Sequence, residues 1–328
     1  MIVKSNANAF YLHSHIVRRD SYMLKKWITA AILAITAAVM LTACGGGNQQ
    51  GEQTAQPATK IKVATSFNAM KEFVQVVGKD KVDIVTIIPD GTEPHDFELT
   101  TKDMKALSNA DVFVYSGLGM EPWADQAIQS ANNKKLLAVE ASKGVKAITN
   151  TDEDEIKEHG QYDPHCWLGL NEAQIEVQNI ADGLAKADPK NADFYQKNAK
   201  DYIAQLKALH DQYAGKFARV QKKHFVTGHA AFAYLCRDFG LTQNSVEDVF
   251  ADGEPSPKQM AALITYCKKH DVKVIFAEDM VSPKISQTLA AEVGAQVKQI
   301  NTMESSEGGK TYLNAMKENL EEILQSLQ

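Results

Sequence analysis

From residue 60 onward, two hydrophobic rhythms alternate along the chain. Short apolar runs bounded by turn residues lie at 60–66, 83–89, 111–117 and 136–139, separated by stretches in which apolar residues return every three or four positions. The first pattern reads as a strand and the second as an amphipathic helix. Asn68 stands where a cap belongs for a helix through Val77, and Gly78 stands where that helix stops. Thr100 or Thr101 fills the same role for the next helix, and Glu121-Pro122-Trp123 opens another. Strands and helices alternating at this spacing predict a parallel sheet covered on both faces.

The middle of the chain is wholly helical. One helix spans 171–186, and Asp188-Pro189 opens a second in which Tyr195, Tyr202, Ile203, Leu206, Leu209, Tyr213 and Phe217 recur at helical spacing. Some thirty residues from Pro189 make a rod of about 45 Å. His210 falls on its exposed face and reads as inert. The α/β rhythm then resumes, with strands at 223–227, 272–279 and 296–300. Helices follow His229 as far as Phe239, start at Pro257, run through Glu292 to a stop at Gly294, and fill 311–328. The expected fold class is α/β: two lobes, each a mainly parallel sheet flanked by helices, joined by a long helix, with a ligand crevice between them.

The amino-terminal segment follows neither rhythm. Lys25-Lys26, an apolar run at 28–41 and the small residues before Cys44 form a secretory signal, and the apolar run is shorter than the ~20 residues of a spanning helix. Residues 1–22 precede a better start at Met23 and read as an over-long start, which removes His13 and His15 from the argument. The organisation is then 23–43 signal peptide, 44–59 flexible tether, 60–187 N-terminal lobe, 188–220 long connecting helix and 221–328 C-terminal lobe.

Charge and cysteine narrow the function. The chain carries −6 overall and residues 1–43 are basic, so the remainder is about −10. That balance excludes nucleic acid as a partner and suits attraction of cations. Beyond Cys44 only Cys166, Cys236 and Cys267 remain, too few for a disulfide framework. One bridge between Cys236 and Cys267 stays open for an exported protein, and Cys166 reads as a small packing residue ahead of a soft metal ligand.

Three histidines sit in short contexts that are poor at hiding an imidazole: His95 in Gly91-Thr-Glu-Pro-His-Asp-Phe-Glu98, His165 in Asp163-Pro-His-Cys-Trp-Leu168, and His229 in Thr227-Gly-His-Ala-Ala-Phe232. Two follow proline, and two follow predicted strands, whose carboxyl ends are where open α/β sheets bind ligands. Any one of them alone is unremarkable on a surface. Together, three neutral imidazoles suit a borderline-soft divalent ion, with zinc the first candidate.

These three motifs, in this order behind the Leu41-Thr-Ala-Cys44 lipobox-like ending, resemble the zinc/manganese solute-binding lipoproteins of metal ABC transporters, over residues 60–328. The resemblance implies lipidation at Cys44, attachment to the extracytoplasmic face of the cell membrane, a monomer, delivery of the ion to an ABC transporter permease, and no catalysis. It implies two histidines from the first lobe and a third ligand from the second, with little closure across a single helix. Manganese members tend to carry a carboxylate where this chain has His229, which favours Zn2+ over Mn2+ or iron. The histidine-rich loop of many zinc members is replaced by the short acidic stretch 151–160, holding only His159. The resemblance also places a fourth ligand after the last strand, at Glu304, with Asp279, Glu93 and water as competitors. A three-histidine zinc hydrolase or hydratase is the rival from another class, although no HExxH-type motif is present. An adhesion role stays open beside both.

Overall fold

The computed structural model describes residues 60–328 except 151–155, 158–159, 252–254 and 279–282. The signal, the tether and Cys44 lie outside the described residues, as do most of the acidic stretch and Asp279. No helix among the described residues is long and apolar enough to cross a membrane.

Two four-stranded parallel sheets share one topology. In the first, β1 (Ile61–Thr65), β2 (Val82–Thr86), β3 (Val112–Tyr115) and β4 (Leu137–Glu140) are ordered β2-β1-β3-β4. In the second, β5 (His224–Thr227), β6 (Thr242–Ser245), β7 (Val274–Ala277) and β8 (Gln296–Gln299) are ordered β6-β5-β7-β8. Parallel strands need crossovers. In the first lobe these include α1 (Asn68–Gly78), α2 (Thr101–Asn109) and α3 (Ala124–Ser130). In the second they include α6 (Ala233–Phe239), α7 (Pro257–His270) and α8 (Pro283–Val293). The strand β6 was not expected. Its sequence, Thr-Gln-Asn-Ser, has no apolar residue, and its pairing to β5 decides its state where composition does not.

Between the sheets run α4 (Leu170–Ala187) and α5 (Ala192–Phe217), packed along each other. The expected rod is shortened at its start because Pro189–Asn191 forms a 3-10 turn, leaving 26 helical residues, about 39 Å long. Its buried stripe, from Tyr195 through Tyr202, Leu206 and Leu209 to Phe217, follows the sequence periodicity. His210 is half-buried rather than exposed, with its ring stacked 5.1 Å from that of Phe239. The last helix, α9 (Tyr312–Ser326), packs on α5 and returns to the first lobe, where Tyr312 meets Phe73 edge-on at 4.7 Å.

Two capping expectations divide. Thr100 and Asp103 form a reciprocal capping box on α2. Asn68 does not cap α1: Phe67 is the extended residue before the helix, and no side chain caps it. Cys166, Cys236 and Cys267 are all free and buried, so the bridge left open by the sequence does not form. Cys166 points its thiol at Glu176 Oε1, 3.2 Å away, and is a packing residue.

Candidate metal centre

The three predicted histidines all lie in the loops that leave the sheets or lead into the central helices. His95 lies in the loop after β2, His229 two residues past the carboxyl end of β5, and His165 directly before a 3-10 turn (Cys166–Leu168) that feeds α4. Glu304 follows β8 by five residues, after Met303, whose φ of 57° turns the chain back. Parallel sheets of this order open at the carboxyl ends of their strands, and the four side chains arrive there from both sheets.

The structure brings His95, His165, His229 and Glu304 together, with one ligand atom of each inside 4.8 Å of all the others. The Nε2 atoms of His95 and His165 are 3.1 Å apart, and those of His165 and His229 are 3.4 Å apart. Glu304 Oε1 lies 3.5, 3.8 and 4.0 Å from the Nε2 atoms of His165, His229 and His95. A tetrahedron with zinc–ligand bonds near 2.0–2.1 Å has edges of about 3.3 Å, and the observed separations bracket that value. Glu304 Oε1 is buried and has no hydrogen-bond partner, while its Oε2 accepts from Thr302 Oγ1 at 2.9 Å. A buried carboxylate oxygen without a donor is costly unless a cation claims it. The donor set fits a zinc ion.

The environments of the histidines differ sharply. Asp163 accepts from His165 Nδ1 at 2.9 Å and from its backbone N–H at 2.9 Å, which fixes the ring and turns Nε2 inward. Burial alone would lower the His165 pKa, but Asp163 and then Glu304 reverse that and raise it to about 9. His229 has no such partner: burial dominates and lowers its pKa to about 4. Glu304 resists the upward push of burial through His165, His229 and His95, and stays well below the usual carboxylate range. Phe250 lies edge-on to His95 at 5.4 Å and Trp167 packs at 5.2 Å against His165, so apolar rings wall the cluster.

Of the competitors for the fourth place, Asp279 lies outside the described residues. Glu93 turns back to accept the backbone N–H of His95 at 3.3 Å and is not among the four. Two supporting residues were not singled out in the sequence. Asp163 sits in the same motif as His165, and an aspartate two residues before a turn residue is the signature of an Asx turn, so a signal existed. Glu278 stands directly after β7, beside Asp279. Its buried Oε1 accepts the His229 backbone N–H at 3.3 Å and lies 3.6 Å from His229 Nδ1. It crosses directly over Gly228, where a Cβ would stand 1.9 Å from Glu278 Oε2. Any larger residue there would displace the Glu278 carboxyl group.

Comparison with known proteins points the same way. The sequence profile of the zinc-uptake complex component A, periplasmic (ZnuA) family matches residues 63–326. Over 318 residues the chain is 38% identical to the high-affinity zinc uptake system protein ZnuA of Bacillus subtilis, covering 93% of this chain and 99% of that protein. It is 32% identical over 307 residues to the zinc-binding lipoprotein AdcA of Streptococcus pneumoniae, covering 90% of this chain and 60% of AdcA. The Zn(II)-bound mutant variant of AdcAII from Streptococcus pneumoniae superposes with a TM-score of 0.76 at 34% identity, covering 83% of this chain and all of the other.

Proposed function

Because the chain belongs to the ZnuA family of zinc-uptake binding proteins, we propose that His95, His165, His229 and Glu304 are the four ligands of one transported zinc ion. The protein is a solute-binding component of metal uptake by an ABC transporter, and it is not an enzyme. Zinc is its cargo. The observation that carries the ligand assignment is the convergence of three imidazole Nε2 atoms on the buried Glu304 Oε1, at 3.5–4.0 Å.

Coordination suffices for this task. Three imidazoles and one carboxylate close a tetrahedron, whereas a catalytic zinc keeps a position open for water or substrate. Glu304 takes that position here, and His165, His229 and Glu304 are all nearly inaccessible to solvent. Nitrogen ligands also favour zinc over manganese, which prefers oxygen.

On this reading the protein captures zinc outside the membrane and hands it to its permease as a monomer. Cys44, outside the described residues, carries the lipid that anchors it to the extracytoplasmic face. The lipoprotein relative AdcA supports that anchor, and two or three acyl chains hold a protein on a bilayer far better than one. Mass spectrometry of membrane-extracted protein should find the mature N-terminus at an acylated Cys44. A mature N-terminus upstream of it would overturn the anchor. Competition against a chromogenic chelator should give one zinc per chain, and unchanged affinity in both His95→Ala and His229→Ala would overturn the ligand set.

A further inference from the structure

Asn68 occupies the first turn of α1, yet its side chain crosses to the turn that carries Glu304. Its Nδ2 donates to the Ser305 carbonyl at 3.0 Å and, more weakly, to the Met303 carbonyl at 3.4 Å. Its backbone N–H, one of the donors a helix start leaves without an intrahelical partner, points to the Glu304 carbonyl at 3.4 Å. Three consecutive carbonyls thus converge on one first-lobe residue. Both side-chain partners are acceptors, so the position demands a donor, and it is 4% exposed, where water offers little substitute.

The turn needs holding. Met303 adopts φ 57° without being glycine, a left-handed conformation that persists only where its surroundings enforce it. Further ties run the same way. Gly91 N–H donates to Ser305 Oγ at 2.9 Å, Ser306 N–H to Asp90 Oδ1 at 2.9 Å, and Trp167 Nε1 to the Thr302 carbonyl at 2.7 Å. All four partners, residues 68, 90, 91 and 167, belong to the first lobe by sequence.

We propose that Asn68 is a positioning residue for zinc capture: it seats Glu304, so that the fourth ligand is held by the first lobe although it follows the last strand of the second. The proposal rests on the four-ligand reading of the site. Through Asn68 the first lobe thus holds Glu304 alongside its own His95 and His165.

The test is a double-mutant cycle on zinc affinity in the full chain, read by chelator competition. Asn68→Ala should weaken zinc binding about tenfold, the scale of losing buried hydrogen bonds that align a ligand. In a Glu304→Ala background the same substitution should have less than about a twofold effect, since no carboxylate remains to seat. In a His229→Ala background the tenfold loss should persist. An undiminished loss beside Glu304→Ala, or no loss in the single variant, overturns the proposal. If Asn68→Ala does not fold, Asn68→Asp preserves the shape while facing acceptors with an acceptor, and the same coupling is expected. Failure of the ligand reading has a different signature: Glu304→Ala alone would leave zinc affinity unchanged.

Discussion

His165 and His229 place their Nε2 atoms 3.4 Å apart, yet they stand in opposite electrostatic states. His165 comes from the first lobe with its Nδ1 bonded to Asp163, and its pKa is raised to about 9. His229 comes from the second with Nδ1 unpartnered beside Glu278, and burial lowers its pKa to about 4. One imidazole is aimed by a carboxylate and holds a proton that zinc must displace. The other is neutral at physiological pH and offers its lone pair directly. The first lobe therefore supplies an imidazole oriented by its own carboxylate, and the second supplies an imidazole that needs no proton exchange.

The comparison breaks most visibly if either ring is removed. Replacing His165 or His229 by alanine should weaken zinc about a hundredfold, since one ligand of four carries roughly 3 kcal/mol of a site worth on the order of 10–16 kcal/mol. Equilibrium competition measures it. Asp163→Asn should cost less, about 10- to 100-fold, by releasing the ring and its preferred tautomer, with zinc stoichiometry kept at one per chain. No loss would mean that the 3-10 turn alone orients His165.

The pH dependence sharpens the contrast. His165 has a native pKa above the ordinary value of 6.5 that it keeps in the unfolded chain, so its charge stabilises the metal-free fold below about pH 6.5, and this contribution fades as pH rises through about 9. Zinc affinity runs the opposite way. It should rise at least about tenfold per pH unit from 7 to 9 and then level off, because binding expels at least one proton. Calorimetry at pH 7.5 in buffers of different ionisation enthalpy should report at least one proton released per zinc, from His165 and in part from Glu93, whose pKa burial and Glu304 raise to about 8. Release near zero would remove the distinction between the two histidines. His229, already neutral there, adds nothing to that slope.

The smallest expected effect is at Glu278. Burial raises its pKa well above the usual range, so it is held as the neutral acid against the His229 backbone N–H. Glu278→Gln, also neutral and of the same shape, should change zinc affinity by less than about threefold. A much larger loss would show that zinc-bound His229 needs an ionised carboxylate, as His165 does.

Much of this was legible in the sequence, for definite reasons. The stripe of α5 from Tyr195 to Phe217 and the apolar strands β1, β3 and β7 carry period and composition together. His95, His165 and His229 stood out because prolines and strand ends surround them. What escaped has equally physical causes. The strand β6 is polar and is made a strand by its neighbour. Asn68 carries the signature of a helix cap, an asparagine before an apolar run, but a long-range partner 235 residues away takes its side chain. Glu278 follows an apolar strand as many ordinary strand-end acids do, and only its place over Gly228 reveals its use. Glu304 came from family resemblance, since nothing in its local sequence marks a ligand.

The most direct test of the four-residue zinc site is anomalous diffraction at the zinc edge from zinc-loaded crystals. One peak should stand about 2.0–2.2 Å from His95 Nε2, His165 Nε2, His229 Nε2 and Glu304 Oε1, with no water in the inner shell. A peak lying elsewhere, or coordinated by three histidines and water with Glu304 turned away, would contradict the account.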